Sequence, residues 1–227
     1  MNSHANFSQP FVQSSPPSPC KSEGRFTGWK AQFACPQGKL GWLVGQFMAF
    51  KNAPMNRFAV ETLKVQSEDQ ILEIGFAHGH ATQIIASQAS KGFVAGIDIS
   101  EVMVRQATKR NQEFIESGRM ELGKASVASI PYEFGRFDKA LAVNNYHFWP
   151  NAEHNLTEIR RVLSENGLLV LCLRMKAVNS AFELAPGFTE QEVEEVTGLL
   201  RWVGFRDVQL AKRNLGRRDA ICVMARK

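Results

Sequence analysis

Residues 71–79 read Ile-Leu-Glu-Ile-Gly-Phe-Ala-His-Gly, an apolar run that carries an acid, Glu73, and then breaks into small residues at Gly75, Ala77 and Gly79. A backbone that turns sharply from strand to helix while pressing against a ligand needs residues with little or no Cβ, and at some positions a positive φ. A second apolar run, Gly92 to Ile97, ends in Asp98, nineteen positions after Gly79. A doubly wound fold places a ribose-gripping carboxylate at that point, because both of its oxygens can accept hydroxyl protons. The two features together predict a nucleotide-cradling turn followed by a ribose clamp.

The details narrow the nucleotide. A dinucleotide fingerprint has three glycines, the third allowing close helix packing behind a pyrophosphate. Here Ala77 stands at the middle place and His80 at the third, and no Gly-Lys-Ser/Thr run supports a phosphate loop. An acid just before the first glycine repels phosphate and suits a ligand bearing an ammonium and a sulfonium. These residues, with Gly96-Ile97-Asp98-Ile99-Ser100, Phe137-Asp138-Lys139-Ala140, Glu158 to Leu163 and Asn166-Gly167, resemble the class I S-adenosylmethionine-dependent methyltransferases. The likeness is strongest to the small-molecule group that includes the ubiquinone and menaquinone biosynthesis enzymes, and it runs from about residue 40 to about residue 174.

The resemblance implies a Rossmann-like, doubly wound α/β fold: a mostly parallel seven-stranded sheet, an antiparallel edge hairpin and an N-terminal helical cap. It also implies S-adenosylmethionine as cofactor. Glu73, Gly75, Phe76, Ala77 and Gly79 would wrap its methionine part, and Asp98, Ile99 and Met103 the ribose side. Ser126 and Val127 would lie beside adenine, where relatives often have an Asp before an apolar residue. Asn144 would touch the cofactor from the loop after the fourth strand.

That loop, Asn144-Asn145-Tyr146-His147-Phe148-Trp149-Pro150, joins amides, a phenol, an imidazole and aromatic rings directly behind a core strand. Aromatic faces attract a cation and exclude water. His147 and Tyr146 are the candidate catalytic groups, His147 as a base toward an acceptor hydroxyl or amine. The competing reading is that His147 and Trp149 only pack the loop, since positioning alone can carry methyl transfer. His78 and His80 are two residues apart and do not share a helix face, so no metal site is expected. His78 reads as a solvent-facing loop position or a cofactor contact, and His80 as structural.

The remaining chain reads as one domain with appendages. Its 227 residues, 44% hydrophobic, suffice for a single sizeable core. Residues 1–33 are crowded with Ser, Pro, Gln and Asn and cannot offset their chain entropy by burial, so a disordered tail is expected. Residues 34–66, with Trp42, Phe47, Met48, Phe50, Met55 and Asn56, would form the cap, and 67–227 the catalytic domain. Helices are expected at 39–50 and 56–63, interrupted at Asn52-Ala53-Pro54. A long helix from Ser100 to about Ser117 and a substrate-side loop at 176–188 are also expected.

Neither an apolar leader nor a run near the ~18 residues of a membrane span is present, which favours a cytoplasmic protein without membrane contact. Cys20, Cys35, Cys172 and Cys222 are scattered and read as reduced thiols. Of the net charge of +5, more than half arises in residues 1–40, where Lys21, Arg25, Lys30 and Lys39 face only Glu23. The rest of the domain is nearly balanced, which argues against a nucleic-acid partner. Lys212, Arg213, Arg217 and Arg218 flank a hairpin between two edge strands and read as edge protection, with anion recognition as the alternative. The expected reaction is methyl transfer to an O, N or C atom of a small-molecule acceptor by a monomer or homodimer. An NAD-dependent oxidoreductase and a non-catalytic cofactor- or partner-binding module are the alternatives.

Overall fold

The computed structural model describes residues 52–176, 187–216 and 218–227. A helix α1 occupies residues 52–63 and leads into β1 (Gln70–Ile74), α2 (His80–Gln88), β2 (Phe93–Asp98), α3 (Glu101–Arg110), α4 (Gln112–Glu116) and β3 (Met120–Lys124). There follow β4 (Phe137–Val143), a 3-10 turn (Tyr146–Phe148), α5 (Ala152–Val162), β5 (Leu163–Arg174), α6 (Glu190–Trp202), β6 (Arg206–Asn214) and β7 (Asp219–Arg226). The seven strands form one sheet in the order β3-β2-β1-β4-β5-β7-β6. The first five pair in parallel, and β7 pairs antiparallel to both β5 and β6. This is the doubly wound sheet the βα alternation predicts.

Alternation along the strands divides the core. Leu72 and Ile74 of β1, Ala140 and Ala142 of β4, and Leu169, Leu171 and Leu173 of β5 face one layer, packed by Leu156, Ile159, Val193, Val196 and Leu200 of α5 and α6. Ile71, Leu141, Val170, Cys172 and Cys222 face the other, against Phe58 and Leu63 of α1 and Ala81 and Ile85 of α2. A period of two on strands and buried stripes on helices are the geometric cause. Cys172 and Cys222 stand directly opposite each other in the β5/β7 register; both are free thiols and fully buried.

Helix starts follow capping chemistry. Ser100 Oγ accepts the Met103 N–H at 3.4 Å, and Asn151 Oδ1 accepts the His154 N–H at 3.0 Å. Thr189 and Glu192 form a reciprocal capping box at the start of α6.

Several expectations are corrected. Pro54 lies inside α1 rather than before it, because Met55, Phe58, Ala59, Val60 and Leu63 bury a helical stripe against the sheet. Residues 52–63 are thus anchored in the domain core. The rest of the proposed cap, with Trp42, Phe47, Met48 and Phe50, lies outside the described residues, as do the tail at 1–33, Cys20, Cys35 and the helix at 39–50. The helix expected to run to Ser117 is broken at Asn111, whose buried side chain donates to Gly79 O at 3.1 Å and Ala107 O at 2.9 Å. β5 starts at Leu163 directly after α5, turning at Asn166 (φ 63°), with an irregularity in its pairing with β4.

β7 is interior, flanked by β5 and β6, so only β6 of the final hairpin is an edge. Its basic residues are engaged by acids: Lys212 lies 3.5 Å from Glu190 and 3.4 Å from Asp219, and Arg213 pairs with Glu61 over the Phe58 ring. Arg217 and most of the 176–188 loop lie outside the described residues. Among the described residues, no helix is long and apolar enough to cross a membrane, and no cluster of three or more potential metal ligands occurs.

Candidate active site

The winding order reverses between β1 and β4, so the connections after these strands diverge and leave a crevice at their carboxyl ends. An open cleft of about 1140 Å³, mouth included, occupies this place. Its walls come from the loops after β1, β2, β3 and β4, with Asn52 and Asn56 of α1 closing one side.

The β1 loop turns as its residue types require. Gly75 has φ 68°, Ala77 φ 50° and Gly79 φ 77°. Three of its N–H groups are consumed internally: Gly75 donates to Ile97 O at 2.7 Å, Ala77 to Asp98 Oδ2 at 2.9 Å and Gly79 to Phe76 O at 2.9 Å. Alanine in the left-handed region costs about 1–2 kcal/mol, and the Asp98 carboxylate is what holds Ala77 there. The glycines have separate reasons. A Cβ on Gly75 would collide with Asn145 Nδ2, and one on Gly79 would sit 2.8 Å from Ala107 Cβ. Gly79 is therefore a helix-packing residue that does not line the cleft, contrary to its expected place among the cofactor contacts.

Two carboxylates face the cleft. Glu73 is buried at the end of β1 and accepts the Thr82 hydroxyl proton at 2.5 Å; burial pushes its pKa up to about 7, the Thr82 hydrogen bond opposing and the nearby Asp98 charge reinforcing. Asp98 accepts from Ser100 N at 2.8 Å as well as from Ala77, yet burial still raises it to about 6. Each Asp98 oxygen has one protein donor, which leaves acceptor capacity toward a ligand. The cleft thus concentrates acceptors that favour a cation.

Beyond Asp98, Ile99 and Met103 line the cleft, as do Phe76, Ala125, Ser126 and Val127. Ser126 Oγ accepts the Ala128 N–H at 3.2 Å, which makes it a turn-shaping group. Asn144, at φ 54°, also lines the cleft, and its buried Oδ1 has no protein partner among the described residues.

The reactive-looking loop divides. Asn145, Phe148, Trp149 and Pro150 line the cleft, whereas Tyr146 and His147 do not. Tyr146 packs on Trp149 and Phe188, and burial lifts its phenol to about 12. His147 packs on Phe148 in a tilted arrangement with ring centroids 3.9 Å apart; burial and the Arg174 charge lower its pKa to about 4. Neither expected catalytic group is brought to the cleft wall, because the 3-10 turn rotates both into the packing behind it.

Asn145 was absent from the expected cofactor contacts. Its Nδ2 donates to Ile74 O at 2.5 Å, tying the β4 loop across to β1, while its Oδ1 is buried without a partner among the described residues. A second consecutive amide after a buried strand was the available signal. His78, read as solvent-facing or as a cofactor contact, is 5% exposed and lines the cleft.

The residues present fit S-adenosylmethionine: two carboxylates for cationic and hydroxyl groups, orphaned amide oxygens, and apolar walls for a base. The description "methyltransferase domain" belongs to a family model that matches residues 71–167. The Bacillus subtilis protein named "Uncharacterized methyltransferase YdaC" is 25% identical over 185 residues, 82% of this chain and 98% of its own. The ubiquinone/menaquinone biosynthesis C-methyltransferase UbiE of a Geobacter species is 28% identical over 116 residues, 51% of this chain and 49% of its own. A SAM-dependent methyltransferase from Aquifex aeolicus superposes with a TM-score of 0.63 at 19% identity, covering 75% of this chain and 88% of that one, and shares the fold. Together with the fold and the cleft, these matches support a class I S-adenosylmethionine-dependent methyltransferase.

Proposed function

We propose that the enzyme methylates an O, N or C atom of a small metabolite, and that the cleft between the β1 and β4 loops holds both the cofactor and the acceptor. The observation that carries this reading is the pairing of Glu73 and Asp98 on one wall with Phe148 and Trp149 on another, inside a cleft enclosed by the ends of the strands. S-adenosylmethionine supplies an electrophilic methyl on a positively charged sulfur. Transfer would join that carbon to an electron pair of the acceptor, a lone pair on O or N or a carbanion pair on C, with the carbon–sulfur bonding pair leaving on sulfur and the acceptor's proton passing to solvent.

The protein's contribution is alignment and dryness. Asp98 would take the ribose hydroxyls while bracing Ala77, Glu73 would face the cationic arm, and Ile99, Met103, Ser126 and Val127 would border the base. Asn144 and Asn145 would offer amide oxygens to acceptor or cofactor donors. Phe148 and Trp149 would exclude water and favour the sulfonium. Among the described residues, the only titratable side chains lining the cleft are Glu73, His78 and Asp98. Proximity is therefore the favoured source of rate, with effective molarities that account for about 7–11 kcal/mol in well-oriented systems.

Glu73 argues against NAD, because a pyrophosphate at the start of α2 would meet its charge. A cytoplasmic location, no nucleic-acid partner and a monomeric or homodimeric state belong to the same proposal. The test incubates the enzyme with methyl-labelled S-adenosylmethionine and a panel of phenols, amines and activated carbon acids. Labelled product with stoichiometric S-adenosylhomocysteine is expected; binding of NAD in place of S-adenosylmethionine would overturn the reading.

A further inference from the structure

The methionine arm of the cofactor carries a carboxylate, and the cleft offers it little. None of the described lining residues is Lys or Arg, and the lining includes the carboxylates of Glu73 and Asp98. Glycine-rich turns commonly bind anions through their N–H groups, but here those of Gly75, Ala77 and Gly79 are already donated to Ile97, Asp98 and Phe76. A side-chain donor can supply what these three N–H groups do not.

His78 occupies that place. It lines the cleft within the β1 loop, is 95% buried by the complement of its 5% exposure, and its Nδ1 has no partner among the described residues. Leaving a buried imidazole nitrogen without a partner is costly, so the position calls for a ligand. Arg110 of α3 donates from Nε to the His78 carbonyl at 3.0 Å, which fixes the residue and brings a guanidinium charge beside the ring. His80 of α2 stacks at 6.2 Å between centroids, and Arg57 of α1 acts electrostatically on His80. The group thus forms a cationic corner next to an acidic cleft.

We infer that His78 binds the carboxylate of the S-adenosylmethionine methionine arm, with Arg110 as the residue that positions it. The inference rests on the cofactor site described above and adds a discriminating contact to it. Free, His78 is neutral at pH 7: burial first, then the charges of Arg110 and His80, lower it to about 4. A carboxylate beside the ring favours the imidazolium, so cofactor binding takes up a proton where the free ring is neutral and the bound ring is charged. Affinity then rises as pH falls toward about 4. Glu73 and Asp98 also titrate in this range, and the design has to subtract them.

Isothermal calorimetry is run with S-adenosylmethionine and with its decarboxylated analogue, which keeps the sulfonium and the amine. Wild type and His78→Ala are compared, with His78→Gln, which retains a donor, as the milder variant. The expected result is a loss of about ten- to a hundredfold in S-adenosylmethionine affinity for His78→Ala, a smaller loss for His78→Gln, and near-equal analogue affinity in all three proteins. In wild type near pH 5, buffers of different ionisation heat should reveal more proton uptake with S-adenosylmethionine than with the analogue. Equal losses for both ligands, or equal proton uptake, would overturn the contact while leaving the cofactor site intact. Failure of wild type to bind either ligand would instead refute the cofactor site on which it rests.

Discussion

Replacing Glu73 by Gln should stabilise the ligand-free protein at alkaline pH and weaken its grip on the cofactor. The carboxyl is raised from the usual 4.5 to about 7, so its ionised form is disfavoured in the folded state. A group whose folded pKa lies above its unfolded value binds protons more tightly when folded, and stability therefore falls as pH climbs from about 4.5 through about 7. At about 1.36 kcal/mol per unit, the ionised carboxylate costs roughly 3 kcal/mol at pH 8, most of it absent at pH 5. Gln is close in volume, and its carbonyl can accept the Thr82 hydroxyl proton; an N–H group left without an acceptor costs about 1 kcal/mol. Urea unfolding at pH 5 and pH 8 should show the variant gaining about 2–3 kcal/mol relative to wild type between the two, with Tm at pH 8 higher by several degrees. S-adenosylmethionine affinity at pH 8 should drop about tenfold or more, because the cationic arm loses a facing carboxylate. A stability difference independent of pH, or a variant that binds as tightly as wild type, would refute the assignment.

Asp98→Ala should cost both stability and binding, since it orphans the Ala77 and Ser100 N–H groups as well as a ribose partner; denaturation and calorimetry together should find about 1–3 kcal/mol per lost bond. Gly75→Ala should destabilise through the Asn145 contact, and Asn145→Ala should restore part of that loss, leaving the left-handed strain of about 1–2 kcal/mol in unfolding measurements. His147→Ala should leave kcat within a few-fold of wild type, with no step in the pH–rate profile that belongs to an imidazole near 6.5, because the ring is buried behind the cleft and held near 4.

The parts legible in the sequence were those governed by local rules. The helix start at Ser100 and the acid–glycine–acid spacing of Glu73, Gly75 and Asp98 each depend on neighbours within a few residues or one βα unit. What was not legible depends on partners distant in the chain. His78 sits in a loop of mostly small residues, and its surroundings include Arg110 of α3, thirty-two positions away, which donates to its carbonyl. Gly79 looked like a ligand-facing glycine, whereas Ala107 and Asn111, about thirty positions away, are what forbid a Cβ there. Tyr146 and His147 have reactive side chains, but a three-residue turn decides which of the loop's rings reach the cleft, and no periodicity encodes that choice. The interior place of β7 likewise follows from strand order, a nonlocal property.

The facing thiols of Cys172 and Cys222 turn the sheet into its own timepiece. Neither sulfur reaches solvent while β7 lies between β5 and β6, so an alkylating reagent can mark them only in molecules whose C-terminal hairpin has come away. Pulse alkylation followed by peptide mass analysis would read the frequency of that detachment directly, separately from global unfolding. Because Cys172 lies on the strand beside β4, two residues before the cleft-side end of β5, the same labelling rate should slow when a bound cofactor suppresses excursions of this part of the sheet.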